Sequence, residues 1–424
     1  MKVMALPIAG VLALAACGGA AGSGGSTIKG TITIASDYPA SGGEASTGIP
    51  EQQGVAFAVS QHSNIKGFKI VYKPYDDAVN GVHDPQKGAQ NAADMAGNTQ
   101  ILGMVGPNNS NVAKAIIPIL APVPLAMISP ANTNECLTKP FPYCNPAPSE
   151  LRKGSTNNYF RIAGTDDQQG PAMADYAYNS LKFTKVAVFS DNETFGVGVA
   201  NNFVKRWTQL GGTVVNNGGQ QQGFDAKNTS NFDPFINAAK NGGAQAIYIG
   251  ATTGNKPCVF RAQMKGILDV PLLGPDGFAL DPQCIKDAGA NAAGIYGTTA
   301  GSDPTQSKDQ AVKDSLAAYK KVYPKSTDIA TYTFQSYDSA LVMLDAVGRA
   351  IDANGGKLPS RAQVRDAVAK TKNFKGMTGT WTFDGNGDIT TPVFSYYQSD
   401  PGNKSDGEWK FLSSAQIKSV NTTG

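Results

Sequence analysis

The sequence predicts an α/β protein of two lobes, each built on a parallel sheet flanked by helices. Three observations carry that prediction. Short apolar strands recur, and each ends in a polar loop. The plainest are Leu125-Ala126-Met127-Ile128-Ser129 opening into Pro130-Ala131-Asn132-Thr133, and Ile101–Val105 opening into Gly106-Pro107-Asn108-Asn109-Ser110. Helical patterns alternate with these strands in two successive series. Finally, 48 glycines and 25 prolines in 424 residues supply the tight turns that such alternation needs. Open α/β sheets place ligands at the C-terminal ends of their strands. The two loops therefore read as one wall of a small-molecule site.

Taken in order, Thr31–Ala35 is the first strand, followed by a polar turn from Ser36 to Gly48. Pro50 reads as the first turn of a helix whose apolar face is Val55, Ala58 and Val59. Phe68–Tyr72 is a strand closing at Tyr75-Asp76-Asp77, and Pro85–Ala96 is a helix leading to the strand at Ile101. After Leu125–Ser129 comes a Pro- and Cys-rich excursion, Asn134–Ser155, long for a compact loop and so expected to be tied down. The second series begins with extended Tyr159–Ala163 and a helix from Pro171 to Leu181. It continues with strand Val186–Phe189, a helix from Phe195 to Leu210, strand Thr213–Val215, helix Phe232–Asn241 and strand Ala246–Ile249. Leu272-Leu273-Gly274-Pro275-Asp276-Gly277 repeats the strand-then-loop pattern. Ile295–Thr299 is extended; Lys308–Tyr323, Gln335–Asn354 and Arg361–Thr371 are helical. Gly379–Phe383 and Pro392–Tyr397 read as a β-hairpin around Asp384–Asp388.

Composition narrows the function. Charge is low at 16% and nearly balanced, 36 basic against 33 acidic residues, so neither a nucleic-acid face nor a polybasic membrane patch is indicated. With only His62 and His83, histidine chemistry is thinly supplied, and both read as surface or helix-end residues. No Gly-x-Ser-x-Gly elbow is present, and a Ser–His–acid triad has no convincing histidine. Catalysis is not expected. Phe195-Gly196-Val197-Gly198 lacks the third glycine of a dinucleotide loop, having Asn201 there, and reads better as a glycine-eased helix start. Asp384-x-Asn386-x-Asp388 has Ile389 and Ser395 where a calcium loop needs glycine and glutamate, and reads as a turn. No cofactor and no metal are expected.

The N-terminus points to export. Lys2 precedes a short apolar run, Ala5–Ala16, about 12 residues against the roughly 20 that span a bilayer. Its end, Leu14-Ala15-Ala16-Cys17, resembles a bacterial lipobox. That resemblance implies a signal peptide over 1–16, cleavage before Cys17 and a lipid on its thiol, followed by a Gly/Ala/Ser tether through 27. The expected location is the outer face of the cytoplasmic membrane, with the lipid as the only membrane attachment. Four cysteines remain, Cys136, Cys144, Cys258 and Cys284. Three connectivities are possible; local pairing, Cys136–Cys144 and Cys258–Cys284, is preferred over the others and over a metal site, whose close Cys pairs are missing. Loop closure gives about 2.5 and 3.5 kcal/mol respectively on the chain-entropy model.

What survives is the set of strand-end loops: Ser110, Ala131–Thr133, Asp191–Phe195, Thr252 and Asp276. It offers hydroxyls and backbone amides for an anion and a carboxylate for a cation, which is what an amino-acid zwitterion requires.

From Thr31 onward the order of phrases resembles the leucine/isoleucine/valine-binding protein family, the receptors of branched-chain amino-acid ABC transporters. The phrases are Tyr75-Asp76-Asp77, Gly106–Ser110, Ile128–Thr133, Asp167-Gln168-Gln169-Gly170-Pro171, Phe195-Gly196-x-Gly198, Gly274-Pro275-Asp276-Gly277 and Gly379-Thr380-Trp381-Thr382-Phe383-Asp384. The resemblance implies a type I periplasmic-binding-protein fold: two Rossmann-like lobes joined by a three-crossover hinge, with ligand in the cleft. Expected lobes are 28–160 plus 300–378, and 161–299 plus 379–424. It implies that Ser110 and Thr133 hold a ligand carboxylate and that the Ala131 carbonyl accepts from the ammonium. Asp276 pairs with that ammonium, standing where the family usually has a glutamate. Phe195 and Tyr332 fall at aromatic positions. Asn108 and Asn109 are more polar than aliphatic-amino-acid binders tend to be, and Thr252 replaces a common aromatic. A monomeric receptor delivering an amino acid or analogue to an ABC permease is expected; the alternatives are an amide- or urea-type solute, or a sensor role.

Overall fold

The computed structural model describes residues 28–404 and 407–417. The expected signal peptide, Cys17 and tether lie outside the described residues. Among the latter, no helix is long and apolar enough to cross a membrane.

The first lobe is a six-stranded sheet. Its strands in chain order are β1 (Gly30–Tyr38), β2 (Asn64–Ile65) and β3 (Phe68–Asp76), then, past a two-stranded ribbon of β4 (Ala78–Val79) and β5 (Val82–His83), β6 (Ile101–Val105), β7 (Ala126–Ser129) and β8 (Tyr159–Arg161). Their order across the sheet is β2-β3-β1-β6-β7-β8, and all neighbours but β2 and β3 run parallel. Both faces are covered, so the strands read as continuous apolar runs. Ala126 and Ile128 enter one core while Leu125 and Met127 enter the other, the period-two alternation of a strand.

The second lobe repeats the plan with β9 (Lys185–Ser190), β10 (Thr213–Val214), β11 (Gln222–Gly223), β12 (Ala246–Gly250), β13 (Leu272–Gly274) and β14 (Ile295–Thr299), all parallel. Past the short pair β15 (Phe374–Lys375) and β16 (Thr380–Trp381), two antiparallel strands extend its far edge, β17 (Val393–Ser399) and β18 (Trp409–Gln416). The chain passes between lobes three times, near 162–165, 300–309 and 390–392. A small apolar cluster of Ala131, Ala163, Ala172, Ala300, Tyr332, Phe394 and Tyr396 lies at these crossings. The fold is thus the expected two-lobed α/β type. Trp381, Phe383 and Ile389 still pack into the first core, and the chain reaches the second sheet only at Val393.

Four local expectations change. The first strand runs to Tyr38, so Ser36 and Asp37 lie in the sheet and not in a turn. Pro50 and Pro171 lie inside helices Ala45–Gln61 (α1) and Asp166–Asn179 and do not open them. The hairpin closes only between Thr382 and Thr390; its second arm leaves to pair with β14 and β18. His83 is no surface residue: it is 4% exposed, whereas His62 does end a helix in solvent. Helices Pro257–Gln263 and Pro282–Ala288 were not foreseen; the disulfide Cys258–Cys284 staples them together, and Cys136–Cys144 closes the excursion.

Candidate functional site

The ends of β6 and β7 form one wall of a cavity between the lobes. Helix α2 (Ser110–Leu120) follows β6 after a four-residue loop, with Asn109 as its cap residue in extended conformation. The two loops are tied to each other. Ser129 Oγ donates to the Pro107 carbonyl at 2.7 Å and accepts from the amides of Ala131 and Asn132. Asn132 Nδ2 donates to the Asn108 carbonyl at 2.5 Å. Beneath them lies Arg161, fully buried on β8. Its guanidinium donates to the carbonyls of Asn132 (3.2 Å) and Asn134 (2.7 Å), to Asp388 Oδ1 at 2.6 Å and to Thr138 Oγ1. One cation therefore fixes the backbone on both sides of Thr133, and its charge is balanced by Asp388. The Asp384–Asp388 turn thereby gains a structural role: Asp384 Oδ1 accepts from the amides of Asn386 and Asp388, and Asp388 holds Arg161.

The opposite wall comes from β9, β12 and β13. Asp191, at the end of β9, is buried. Its carboxylate accepts from Glu193 N (3.0 Å), Thr252 N (3.3 Å) and Asn255 Nδ2 (2.9 Å). Burial pushes its carboxyl up to about 7, with Glu193 adding to the rise. It gathers the loops after β9 and β12 into one unit. Gly196 lets them meet: a Cβ there would sit 2.2 Å from Asp191 Oδ1 and 2.3 Å from the Gly250 carbonyl. Asp276, past β13, receives the Tyr332 hydroxyl on Oδ2, while Oδ1 makes no well-formed hydrogen bond. Burial raises its carboxyl to about 6, opposed by Tyr332 and Gln169.

All eight residues singled out in the sequence line this one cavity: Asn109, Ser110, Ala131, Thr133, Phe195, Thr252, Asp276 and Tyr332. Its volume is about 40 Å³. Of three acids that also line it, Glu44, Glu51 and Glu193, only Glu193 fell within a candidate loop, Asp191–Phe195, and sequence reasoning missed the other two together with Asn111. It also missed the histidine that organises two of the acids. His83 Nδ1 lies 2.8 Å from Glu44 Oε2 in its own lobe, and Nε2 lies 2.6 Å from Glu193 Oε2 in the other. Burial opposes a charged ring, but the two glutamates outweigh it and hold the His83 pKa well above its ordinary value. Further polar ties span the cleft. Thr252 Oγ1 donates to Glu44 Oε1 (2.9 Å), Asn111 Nδ2 to Glu193 Oε2 (3.1 Å), and Asn134 Nδ2 to the Thr194 carbonyl (3.1 Å). The lobes are closed on one another. Glu44 and Glu51 stand seven residues apart, at the start of α1 and two turns on, a same-face spacing that was available as a signal.

Comparisons with known proteins agree with this architecture. The family described as "Periplasmic binding protein" matches residues 31–403. The Leu/Ile/Val-binding protein homolog 3 of Brucella melitensis biotype 1 is 28% identical over 374 residues, spanning 88% of this chain and 92% of that protein. Among solved structures, the leucine binding protein LivK of Thermotoga maritima superposes with a TM-score of 0.74 at 25% identity, covering 91% of this chain and 99% of that one. A solute binding protein from R. palustris in complex with 4-hydroxybenzoate reaches 0.73 at 19% identity, covering 93% and 99%.

Proposed function

Because the chain belongs to the periplasmic binding protein family, the extracytoplasmic solute receptors of ABC transporters, we propose that its solute is an amino acid or close analogue. The observation that carries this reading is the polarity of the cavity. At one side stand the Ser110 and Thr133 hydroxyls and the start of α2, whose partial positive charge favours an anion. At another stands Asp276, a buried carboxyl with one oxygen free of good partners, suited to an ammonium. The Ala131 carbonyl, on the loop after β7, accepts a second ammonium proton in this reading. In this reading Phe195 and Tyr332 wall the ligand, Tyr332 also orienting Asp276, and Thr252 and Asn109 complete the lining.

Capture is by closure of the lobes, with the disulfides and Arg161 keeping each wall rigid. Delivery to an ABC permease and attachment through Cys17 follow from the family and from the N-terminal sequence, and both are part of the proposal. The second reading, an amide-type or other small solute, has one observation behind it: the structural neighbour from R. palustris carries an aromatic acid, so the fold itself does not dictate an amino acid.

A thermal-shift screen separates these readings. A solute at a hundred times its dissociation constant stabilises the folded protein by about 2.7 kcal/mol. Stabilisation by intact amino acids, lost with their des-amino and amide analogues, is the expected result. Stabilisation by amides or aromatic acids alone refutes it.

A further inference from the structure

Four carboxylates line the cavity, Glu44, Glu51, Glu193 and Asp276, and no lysine or arginine does. Two of the four are already engaged, because His83 sits between Glu44 and Glu193. On the proposed reading Asp276 takes the α-ammonium. Glu51 then has no counterpart in an aliphatic amino acid. It is fully buried, Asn108 Nδ2 donates to its Oε1 at 2.5 Å, and its Oε2 has no partner. Beside Asn108, Asn109 is 5% exposed with its Oδ1 also unpartnered. An apolar side chain packed here leaves both oxygens buried and unsatisfied, a state that folded proteins avoid. Both residues line the same cavity, an unpartnered carboxyl oxygen and an unpartnered amide oxygen each ask for N–H donors, and the absence of a lysine or arginine in the lining asks for positive charge.

We infer that Glu51 and Asn109 form a distal subsite for a cationic nitrogen, so that the solute is an amino acid bearing a second ammonium on a short arm. The inference rests on the amino-acid reading above and names the class of side chain within it. The arm is short because a free volume of about 40 Å³ is only a few water molecules' worth on this measure. Glu51 is also why this pocket differs in kind from an aliphatic one: its carboxyl is held at the cavity by the side chain of Asn108, whose backbone carbonyl is in turn fixed by Asn132.

The test is titration calorimetry of the purified protein with L-2,4-diaminobutyrate, L-ornithine, L-norvaline (the apolar isostere of the first) and L-asparagine, for wild type and Glu51→Gln. The expected result is that a diamino acid binds about 10- to 100-fold more tightly than norvaline, the range of a charge-assisted hydrogen bond. In Glu51→Gln that preference falls to within about threefold, with a thermal melt reporting that the variant is folded. Wild type that binds norvaline or asparagine at least as tightly as the diamino acids overturns the inference and leaves the amino-acid reading standing. A preference that survives Glu51→Gln unchanged also overturns it. If no α-amino acid binds but 1,3-diaminopropane does, and Glu51→Gln abolishes it, the subsite stands and the amino-acid reading falls. Binding of no probe at all removes both.

Discussion

Replacing Glu193 by alanine should open the cleft. His83 is fully buried, and both of its ring nitrogens face carboxylates, an arrangement in which both nitrogens donate and the ring is charged. Glu44 belongs to the same lobe as His83 and stays with it when the lobes part. Glu193 belongs to the other, so the 2.6 Å contact exists only in the closed state. A hydrogen bond between charged groups is worth about 1.5–3 kcal/mol. Glu193 is 24% exposed, so solvent screens part of that, leaving about 1–2 kcal/mol in the open–closed balance. That is a fall of about 5- to 30-fold in the closed-to-open ratio of the solute-free protein. Small-angle scattering reads it as an increased radius of gyration. The pH dependence gives a second signature. Closure raises the His83 pKa above the value it has with Glu44 alone, so this contribution is complete below the open-state pKa. It is lost as pH rises through the higher closed-state value. Wild type should therefore open progressively toward alkaline pH and Glu193→Ala should not. A variant whose scattering matches wild type across pH, or a wild type that closes further as pH rises, refutes the latch.

Three further outcomes are expected. Since the Asp276 carboxyl sits at about 6, affinity for an ammonium-bearing solute should fall by about tenfold per pH unit well below that value, as protons compete, and calorimetry on Asp276→Asn should show no such slope. Arg161→Met should destabilise by about 3–5 kcal/mol in urea denaturation, because Asp388 is left buried without its partner; the double variant Arg161→Met/Asp388→Asn should recover part of the loss. Gly196→Ala should cost at least about 1–3 kcal/mol, the range for overpacking, since the new methyl meets the Gly250 carbonyl and Asp191, neither of which can move without breaking the wall they form. A thermal melt equal to wild type would mean that the second lobe relaxes at no cost.

The strands and their terminal loops were legible because proline and glycine punctuate them and because strands buried on both faces are apolar throughout. Pro50 and Pro171 misled because proline ordinarily marks the first turn of a helix; each is instead the sixth residue of its helix, where it removes an intrahelical hydrogen bond and the helix continues nonetheless. Seven of the eight cavity residues could be named because each lies in the stretch just after a strand; Tyr332, which precedes a helix, came only from the family resemblance. Glu44 and Glu51 could not be named, nor the partner of Glu193. Glu44 meets a histidine 39 residues on, that histidine meets Glu193 after a further 110, and Arg161 meets Asp388 across 227. No local pattern records such pairings, and an isolated histidine in a low-charge sequence gives no sign that two carboxylates will converge on it. A lone arginine in a strand that must be buried was the one visible hint of a paired charge.

The same long-range pairings couple selectivity to motion. Polar ties cross the cleft from His83 and Asn111 to Glu193, from Thr252 to Glu44, from Asn134 to the Thr194 carbonyl, and from Asn202 to Glu135. Against them, closing without a solute removes Glu51 and Asp276 from water with one neutral donor each, Asn108 and Tyr332, and no cation, and both carboxyls shift toward the neutral form through burial. A solute that brings nitrogen donors to both reverses that cost, and does so only when the lobes are together. Its affinity for the closed state then exceeds its affinity for the open one, and such a difference is the only means by which a ligand shifts a conformational equilibrium. An aliphatic amino acid satisfies Asp276 and leaves Glu51 unpaired, so it should bind with less closure at saturation. Comparing the radius of gyration at saturating L-norvaline and L-2,4-diaminobutyrate measures this directly. Equal compaction by both would show that closure is driven by the α-amino acid head alone and that Glu51 plays no part in it.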